Sequence, residues 1–253
     1  MIIRKSPEEL DRMRRAGRIL ADTISVVLEA VRPGATTADL DAVADRHIRD
    51  QGATPSFLGY RGTYPASICA SIDDEIVHGI PSPARRLEEG QLLSLDFGAI
   101  WEGFHADSAV SVFVGGAPPS EDAARLMKTT EEALYAGIAA AQPGGRLSDI
   151  GHAIESVVQP TGLGLVREYG GHGIGRSMHE DPFIQNFGRP GRGPDLRPGL
   201  VIAIEPMVML GDEATRLLAD DWTVVTVDGS LAAHFEHTVA ITEDGPEVLT
   251  ARS

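Results

Sequence analysis

The sequence contains segments that recur in the same order, about 110 residues apart. Pro33-Gly34 follows a helix-like segment and precedes another that opens at Asp39-Leu40. Pro143-Gly144 occupies the same place before a helix-like segment that opens at Asp149-Ile150. One such match would be chance, but further matches follow, and together they restrict the chain to folds built from two similar halves.

Two pairs of strand-like segments also match. The run Gly90–Asp96 matches Gly199–Glu205, and both are apolar segments that end on a carboxylate. The run Phe104–Val110 matches Ala233–Val239 at a larger offset, which indicates an insertion in the second half at about residues 211 to 230. Each half is therefore predicted to carry two carboxylates on adjacent antiparallel strands.

The loop segment His78-Gly-Ile-Pro81 resembles His179-Glu-Asp-Pro182, which gives each half a loop histidine as well. The period is too long for a solenoid, so the matches predict a duplicated α/β unit. We expect one domain over residues 1–253, with the repeats at about 6–115 and 120–250. The predicted fold class is α/β (α+β), with pseudo-two-fold related halves in which helices cover antiparallel sheet.

Asp96 and Asp107 form the most informative pair of side chains. If Glu102-Gly103 is the two-residue turn of a hairpin, Gly98 lies opposite Asp107. Asp96 and Asp107 then lie on the same face of the hairpin, one diagonal step apart. Two carboxylates that close repel each other unless a proton or a cation lies between them. The pair therefore predicts a metal site.

The repeat extends this pair to four carboxylates. Glu205 is the counterpart of Asp96, and Glu236 is the counterpart of Asp107. A pseudo-two-fold axis would bring all of these side chains together, and such a cluster requires cations. Two divalent ions with bridging carboxylates would satisfy it, so we expect a dinuclear site.

His172 lies in the glycine-rich run Gly170–Gly175, which has no partner in the first half. A flexible turn with an incidental histidine is one interpretation, because glycine lets the backbone approach other groups closely. A dinucleotide-binding loop is a poorer one, since the spacing fails at Arg176. Beside four carboxylates, His172 is a candidate nitrogen ligand. Mixed nitrogen and oxygen ligation suits Mn, Fe, Co or Zn better than Mg or Ca.

These residues resemble the methionine aminopeptidase family. The resemblance extends from about Ser6 to Thr250 and implies the "pita-bread" fold. The short sequence, without a long extension or a large insertion between the motifs, is similar to the bacterial type I form. The matching motifs are Gly171-His-Gly-Ile-Gly175, Ile204-Glu-Pro-Met207, Trp222-Thr-Val224, Phe235-Glu-His-Thr238 and His78-Gly-Ile-Pro81. The implied metal ligands are Asp96, Asp107, His172, Glu205 and Glu236.

The resemblance implies removal of the N-terminal Met from nascent polypeptides when the second residue is small and uncharged. In that reaction a hydroxide that bridges two metal ions attacks the peptide carbonyl. Glu205 is the expected proton acceptor, and Asp96 is expected to bridge the ions and help to hold the substrate amine. His179 would donate to the oxyanion, and His78 would contact the peptide nitrogen or the following backbone. The alternative for either histidine is an ordinary loop residue.

The resemblance also implies a pocket for the Met side chain, lined by Tyr64, Cys69 and Trp222. Tyr60 is left open, because the loop from Gly59 to Tyr64 is one residue longer than in relatives. Sulfur facing the Met side chain is the favoured role for Cys69, ahead of a catalytic nucleophile. The chain departs from the usual pattern at Met178, where relatives often carry an aromatic residue, and at His234, where many carry Gln. No role is assigned to either.

Four other classes of protein are alternatives to this one. A proline-specific dipeptidase or aminopeptidase of the same fold usually carries an additional N-terminal domain. A catalytically inactive binding module of this fold would lack some of the ligands, and all are present here. A serine hydrolase lacks support because there is no G-x-S-x-G motif. A zincin is excluded because Phe183 replaces the second histidine of H-E-x-x-H.

The composition limits partners and compartment. The net charge of −15 argues against direct nucleic-acid specificity, although a local basic patch leaves ribosome docking open. The one basic cluster, Arg12 to Arg18, is more simply a solvated helix face. Cys69 is the single cysteine, so no internal disulfide forms, and no secretory signal or membrane span is evident. We expect a cytoplasmic monomer.

Overall fold

A computed structural model describes residues 1–252, in which each repeat begins with a pair of helices. The α-helices are α1 Pro7–Ala30, α2 Thr37–Asp50, α3 Glu121–Ala140 and α4 Leu147–Val158. Short 3₁₀ turns occur at Tyr60–Gly62 and Gln159–Thr161. In residues 1–252, no helix has the length and apolar character that a bilayer crossing requires.

The helix starts follow from the residues that cap them. Ser6 accepts a hydrogen bond from the Glu9 backbone while the Glu9 carboxylate accepts one from the Ser6 backbone, which forms a capping box. The two repeats also share a carboxylate cap at the start of the second helix of each pair, α2 and α4. The Asp39 carboxylate accepts from the backbone N–H of Thr36 at 2.8 Å, and Asp149 accepts from that of Arg146 at 2.7 Å. The matching segments therefore cap matching helices.

The strands are mostly short, and two long ones form a central hairpin. In chain order they are β1 Thr54–Pro55, β2 Ile68–Ile72, β3 Glu75–Val77, β4 Leu92–Trp101, β5 Phe104–Phe113, β6 Gly164–Leu165, β7 Gly171–Gly173, β8 Glu180–Ile184, β9 Val201–Ile204, β10 Met207–Met209, β11 Thr215–Leu217, β12 Val224–Thr226, β13 Ala232–His234, β14 His237–Thr242 and β15 Gly245–Val248.

The β4–β5 hairpin has the predicted register. Glu102 and Gly103 both have positive φ, at 46° and 78°, as a two-residue type I′ turn requires. Gly98 lies opposite Asp107, as the sequence indicated. On the other edge of β4, Asp96 lies opposite Cys69 of β2. The hairpin thus carries the Asp96–Asp107 pair into the middle of the protein.

In the second half, β9 takes the place of β4, and β14 pairs with it antiparallel. Glu205 directly follows β9, and Glu236 lies in the break between β13 and β14. The halves meet at this break, where the Ala109 and Glu236 backbones exchange two hydrogen bonds of 3.3 and 3.0 Å. The Thr238 hydroxyl adds a bond of 2.8 Å to the Asp107 carbonyl. The interface between the repeats therefore passes through the predicted ligands.

The main core lies between the sheets and the helices that cover them. Leu95 and Phe97 on β4 are fully buried, as are Ile19 of α1 and Ile154 of α4. Apolar burial of this kind contributes about 25 cal/mol per Å². The core holds the strands rigid and so fixes Asp96 and Asp107, which lie within β4 and β5; β4 does not end at Asp96, as the sequence suggested, but continues to Trp101.

Gly17 shows how closely α1 approaches the end of the chain. Gly→Ala inside a helix ordinarily stabilises by about 1 kcal/mol. Here a Cβ would overlap the backbone carbonyl of Leu249, which has no rotamer to move to. Gly17→Ala is therefore expected to lower the free energy of unfolding by about 1–3 kcal/mol in urea denaturation. The exposed Glu29→Ala on the same helix is the control, and a Gly17→Ala protein as stable as wild type would contradict this packing.

Candidate metal centre

One cavity of about 300 Å³ collects the residues that the sequence singled out. It lies where β4, β5, β7 and β9 meet the β13–β14 break. The predicted residues that line it are Asp96, Asp107, His172, Glu205, Glu236, His78, His179, Tyr64, Cys69 and Trp222. The whole predicted site is therefore assembled in one place.

The four carboxylates that the sequence grouped together are largely removed from solvent. Asp107 is 4% exposed and Glu236 is 2% exposed. One oxygen each of Asp96, Asp107 and Glu236 is buried without any hydrogen-bond partner among residues 1–252. Buried polar atoms are nearly always paired, so these oxygens indicate a further group between them.

The pKa values of the carboxylates also indicate that a cation belongs between them. Burial raises the pKa of Asp107 to about 8 and that of Glu205 to about 8. Burial, with the charge of Asp107 next in importance, raises the pKa of both Asp96 and Glu236 well above the ordinary range. Without a cation the cluster would hold protons at neutral pH.

His172 completes the cluster with a nitrogen donor. Its Nε2 lies 3.6 Å from Asp107 Oδ2 and 3.6 Å from Glu205 Oε1. Its Nδ1 lies 2.9 Å from the Gly173 carbonyl oxygen, to which Nδ1–H donates. That bond leaves the Nε2 lone pair facing the carboxylates, the usual arrangement for a ligating histidine.

The glycines around His172 are explained by packing. β7 lies between β8 and β9, so a Cβ at Gly171 would overlap the Ala203 carbonyl and one at Gly173 the Asp181 carbonyl. The run is a strand buried between two neighbours, and neither a flexible turn nor a nucleotide loop. Glycine here lets β7 enter the sheet and carry His172 to the carboxylates.

The donor set fits divalent ions. Asp107, His172 and Glu236 each offer an atom within 4.8 Å of the other two, and all three are buried. Asp96 and Glu205 bring further oxygens to the same cavity. Oxygen donors with one imidazole nitrogen suit transition-series ions such as Mn, Fe, Co or Zn. The unpartnered oxygens are where such ions would be held.

Aromatic side chains and a thiol form the apolar part of the cavity. The Tyr64 and Trp222 rings meet edge to face with centroids 5.0 Å apart. Cys69 is buried, and burial raises the pKa of its thiol well above the ordinary value, which disfavours it as a nucleophile. The Tyr64 hydroxyl donates to the Ile68 carbonyl at 3.1 Å, so the ring is fixed.

The two loop histidines, His78 and His179, both line the cavity, as their equivalent positions in the two repeats suggested. The rings of His179 and His172 have centroids 4.1 Å apart, and His78 lies edge-on to Trp222 at 6.3 Å. Burial lowers the pKa of His179 to about 3 and that of His78 to about 4. Both side chains are therefore neutral near pH 7.

Tyr60, which the sequence left open, also belongs to the cavity. Its hydroxyl is 2.7 Å from His179 Nδ1. Other lining residues were missed, and two carried a signal: Tyr169 adjoins the glycine run, and Met207 ends the Glu205 motif. The cavity-lining residues not predicted are Phe57, Arg61, Val77, Glu168, Tyr169, Gly170, Phe183 and Met207.

Three further histidines lie on strands near the cavity. His234 lines the cavity, and its buried Nε2 has no hydrogen-bond partner in residues 1–252 but lies 3.9 Å from carboxylate oxygens of both Glu205 and Glu236. His237 points away from the cavity, with Nδ1 2.9 Å from the Thr250 hydroxyl. His105 lies 3.0 Å from the Ser56 hydroxyl. Only His234 faces the candidate ligands directly.

Known proteins share both the sequence and the fold. Residues 11–243 match the model of metallopeptidase family M24. A methionine aminopeptidase of Clostridium acetobutylicum is 52% identical over 99% of both chains. The crystal structure of methionine aminopeptidase from Thermotoga maritima superposes with a TM-score of 0.96, at 41% identity and full coverage of both chains. A prolidase from Pyrococcus furiosus shares the fold at 24% identity and TM-score 0.79, and the match covers 99% of this chain and 66% of the prolidase.

The fold and the site thus define a metal-dependent hydrolase with the pita-bread architecture that the resemblance implied. The chain belongs to metallopeptidase family M24 and, within it, to the methionine aminopeptidases. The prolidase similarity concerns the fold alone, and that protein extends well beyond the matched region.

Removal of metal is expected to make stability fall with rising pH. In the folded state Asp107 and Glu205 keep protons up to about pH 8, whereas their ordinary values are 3.8 and 4.5. Between those limits the folded state binds more protons than the unfolded state, so the free energy of unfolding decreases as pH rises. Each such carboxyl contributes up to about 1.4 kcal/mol per pH unit.

The test is thermal unfolding of chelated and metal-loaded protein from pH 7 to 8.5. The buried cavity histidines, with pKa values lowered to about 4 or below, are neutral throughout this range and do not interfere. The midpoint of the chelated protein should fall relative to that of the loaded protein. Parallel curves would contradict the account.

Proposed function

We propose that this chain removes the N-terminal Met from nascent polypeptides whose second residue is small and uncharged. The observation that carries the proposal is the junction of two surfaces in one cavity of about 300 Å³. One surface is the acidic cluster with His172, and the other is the apolar wall of Tyr64, Cys69 and Trp222. Relatives at 52% and 51% identity bear the name methionine aminopeptidase, which supports the same activity here.

The apolar wall suits a Met side chain. Met is unbranched and polarizable, and thioether sulfur contacts aromatic rings favourably. Tyr64 and Trp222 offer such rings, and Cys69 offers a small polarizable group that is only 4% exposed. A cavity of about 300 Å³ that must also admit the scissile bond leaves little room for a large second residue.

The acidic cluster suits a free N-terminus. An aminopeptidase must distinguish an α-ammonium from an internal amide, and buried carboxylates provide that distinction. Asp96 lies opposite Cys69, next to the proposed Met pocket, and one of its oxygens is unpartnered. We assign it to bridging the ions and helping to hold the substrate amine.

The proposed ligands are Asp96, Asp107, His172, Glu205 and Glu236, holding two divalent ions of Co, Mn, Fe or Zn. When bound, such ions polarise a carbonyl and make hydroxide available near neutral pH. Glu205 is proposed to accept the proton released in the attack, because its carboxylate lies among the proposed ligands, 3.6 Å from His172 Nε2.

His179 is proposed to stabilise the negative oxygen that develops on the attacked carbonyl. Its imidazole is neutral near pH 7, so one ring nitrogen carries a proton and the other accepts. If the Tyr60 hydroxyl donates to Nδ1 across the 2.7 Å contact, the proton lies on Nε2 and is free for the substrate. His78 is proposed to contact the peptide nitrogen or the next stretch of backbone.

Other features belong to the proposal as well. We assign residues 1–253 to a single catalytic domain that acts as a cytoplasmic monomer. Ribosome docking through the basic face of α1 stays a prediction, and parts of that face are already paired: Arg14 with Glu247 at 2.7 Å and Arg12 with Glu102 at 3.4 Å.

The activity is tested by anaerobic titration of the chelated protein with Mn, Fe, Co and Zn while Met release from Met-Ala-Ser is measured. We expect release with at least one of these ions and none after chelation. Cleavage confined to peptides with proline in the second position would instead support a proline-specific peptidase of this fold. Absence of release with all four ions would overturn the proposal.

His179→Ala is expected to lower kcat on Met-Ala-Ser by about 10²–10³, the cost of removing one oxyanion donor. Metal content should be unchanged, because His179 is not among the proposed ligands. His152→Ala, at an exposed position on α4, is the control and should match wild type. Near-wild-type turnover of His179→Ala with normal metal content would contradict the assigned role.

A further inference from the structure

Arg61 is the one permanently charged cation among the residues that line the cavity. The acidic side chains there are Asp96, Asp107, Glu168, Glu205 and Glu236. Arg61 is exposed and forms no ion pair with a carboxylate of residues 1–252, where the ion pairs involve other cations. Its guanidinium is therefore available to a ligand at the mouth of the cavity.

The loop that carries Arg61 is tightly built. The Gly59 backbone donates to the Tyr64 carbonyl at 2.9 Å, and the Tyr60 backbone donates to that of Phe57 at 2.8 Å. Arg61 has φ of 48°, a left-handed conformation that side chains seldom adopt. The loop is thus a closed turn with Arg61 at its tip.

The Arg61 side chain contacts Tyr60, which in turn contacts His179. Its Cζ lies 5.6 Å from the centroid of the Tyr60 ring, and the Tyr60 hydroxyl contacts His179. The charge of Arg61 is also among the causes that lower the pKa of His78 and of His179, after burial. The cation is therefore next to the place where the scissile peptide bond is proposed to lie.

An extended peptide alternates its side chains, so residues one and three point to the same side, about 7 Å apart. With the Met side chain against Tyr64 and Trp222, the third side chain faces the same wall farther out. Tyr60 continues that wall, with its ring centroid 6.5 Å from that of Trp222, and Arg61 follows it. The third side chain of the substrate would therefore meet the guanidinium.

We propose that Arg61 makes the site select polypeptides with an acidic side chain at the third residue, Asp or Glu. The inference rests on the proposed function and narrows its substrate class. In a protein of net charge −15, Arg61 places a local positive charge at the mouth of the cavity, which attracts an acidic third side chain. A basic third residue meets like charge there.

The test compares kcat/KM on Met-Ala-Glu, Met-Ala-Ser and Met-Ala-Lys, each with an amidated C-terminus so that the terminal carboxylate does not compete. Wild type should prefer Glu over Lys by about threefold to tenfold at low ionic strength, as expected for an exposed charge pair. Added salt should reduce the ratio. Arg61→Gln should bring the ratio close to one, and Arg61→Glu should invert it.

Arg189→Glu is the matched control, since Arg189 is exposed and does not line the cavity. It changes the net charge as Arg61→Glu does, and it should keep the wild-type ratio. Equal rates on the Glu and Lys peptides, or a preference that survives Arg61→Glu, would overturn the inference. Release of Met from the Ser peptide keeps the proposed function intact in that case, whereas no release from any peptide would contradict both.

Discussion

The repulsion among four buried carboxylates is the constraint on which the rest of this structure depends. Taking an ion out of water costs several kcal/mol even after relaxation, and like charges add to that cost. Asp96, Asp107, Glu205 and Glu236 nevertheless line one cavity, and three of them have an oxygen without a partner among residues 1–252. Divalent cations between the carboxylates would offset this repulsion, and His172 adds a nitrogen donor. The surrounding fold keeps these carboxylates close together before the ions bind.

Much of this arrangement could be predicted from sequence because it depends on short-range rules. A two-residue turn and the alternation of a strand suffice to place Gly98 opposite Asp107. The capping box at Ser6 is equally local. The recurrence of the Asp96 strand at Glu205 then gave the distant half of the cluster. Because the chain is duplicated, the local pattern around Asp96 also identifies its distant counterpart, Glu205.

What could not be predicted depends on contacts without a counterpart in the repeat. Tyr60 and His179 meet across 119 positions of sequence, and no pattern in either repeat pairs them. Glu236 was matched to Asp107, yet Asp107 lies within a continuous strand and Glu236 in a break between two strands. The mouth of the cavity, including Arg61, is built from such loops. Substrate selection is thus the least predictable part of the site.

The dinuclear site can be tested by calorimetric titration of the chelated protein with Mn²⁺ or Co²⁺ under anaerobic conditions. We expect two ions bound per chain, because the two halves together supply ligands for a dinuclear site. Glu236→Gln, which removes one charge at the junction of the halves, should weaken binding while leaving the fold intact by circular dichroism. A single ion per chain, or two ions whose affinity is indifferent to Glu236→Gln, would contradict the account.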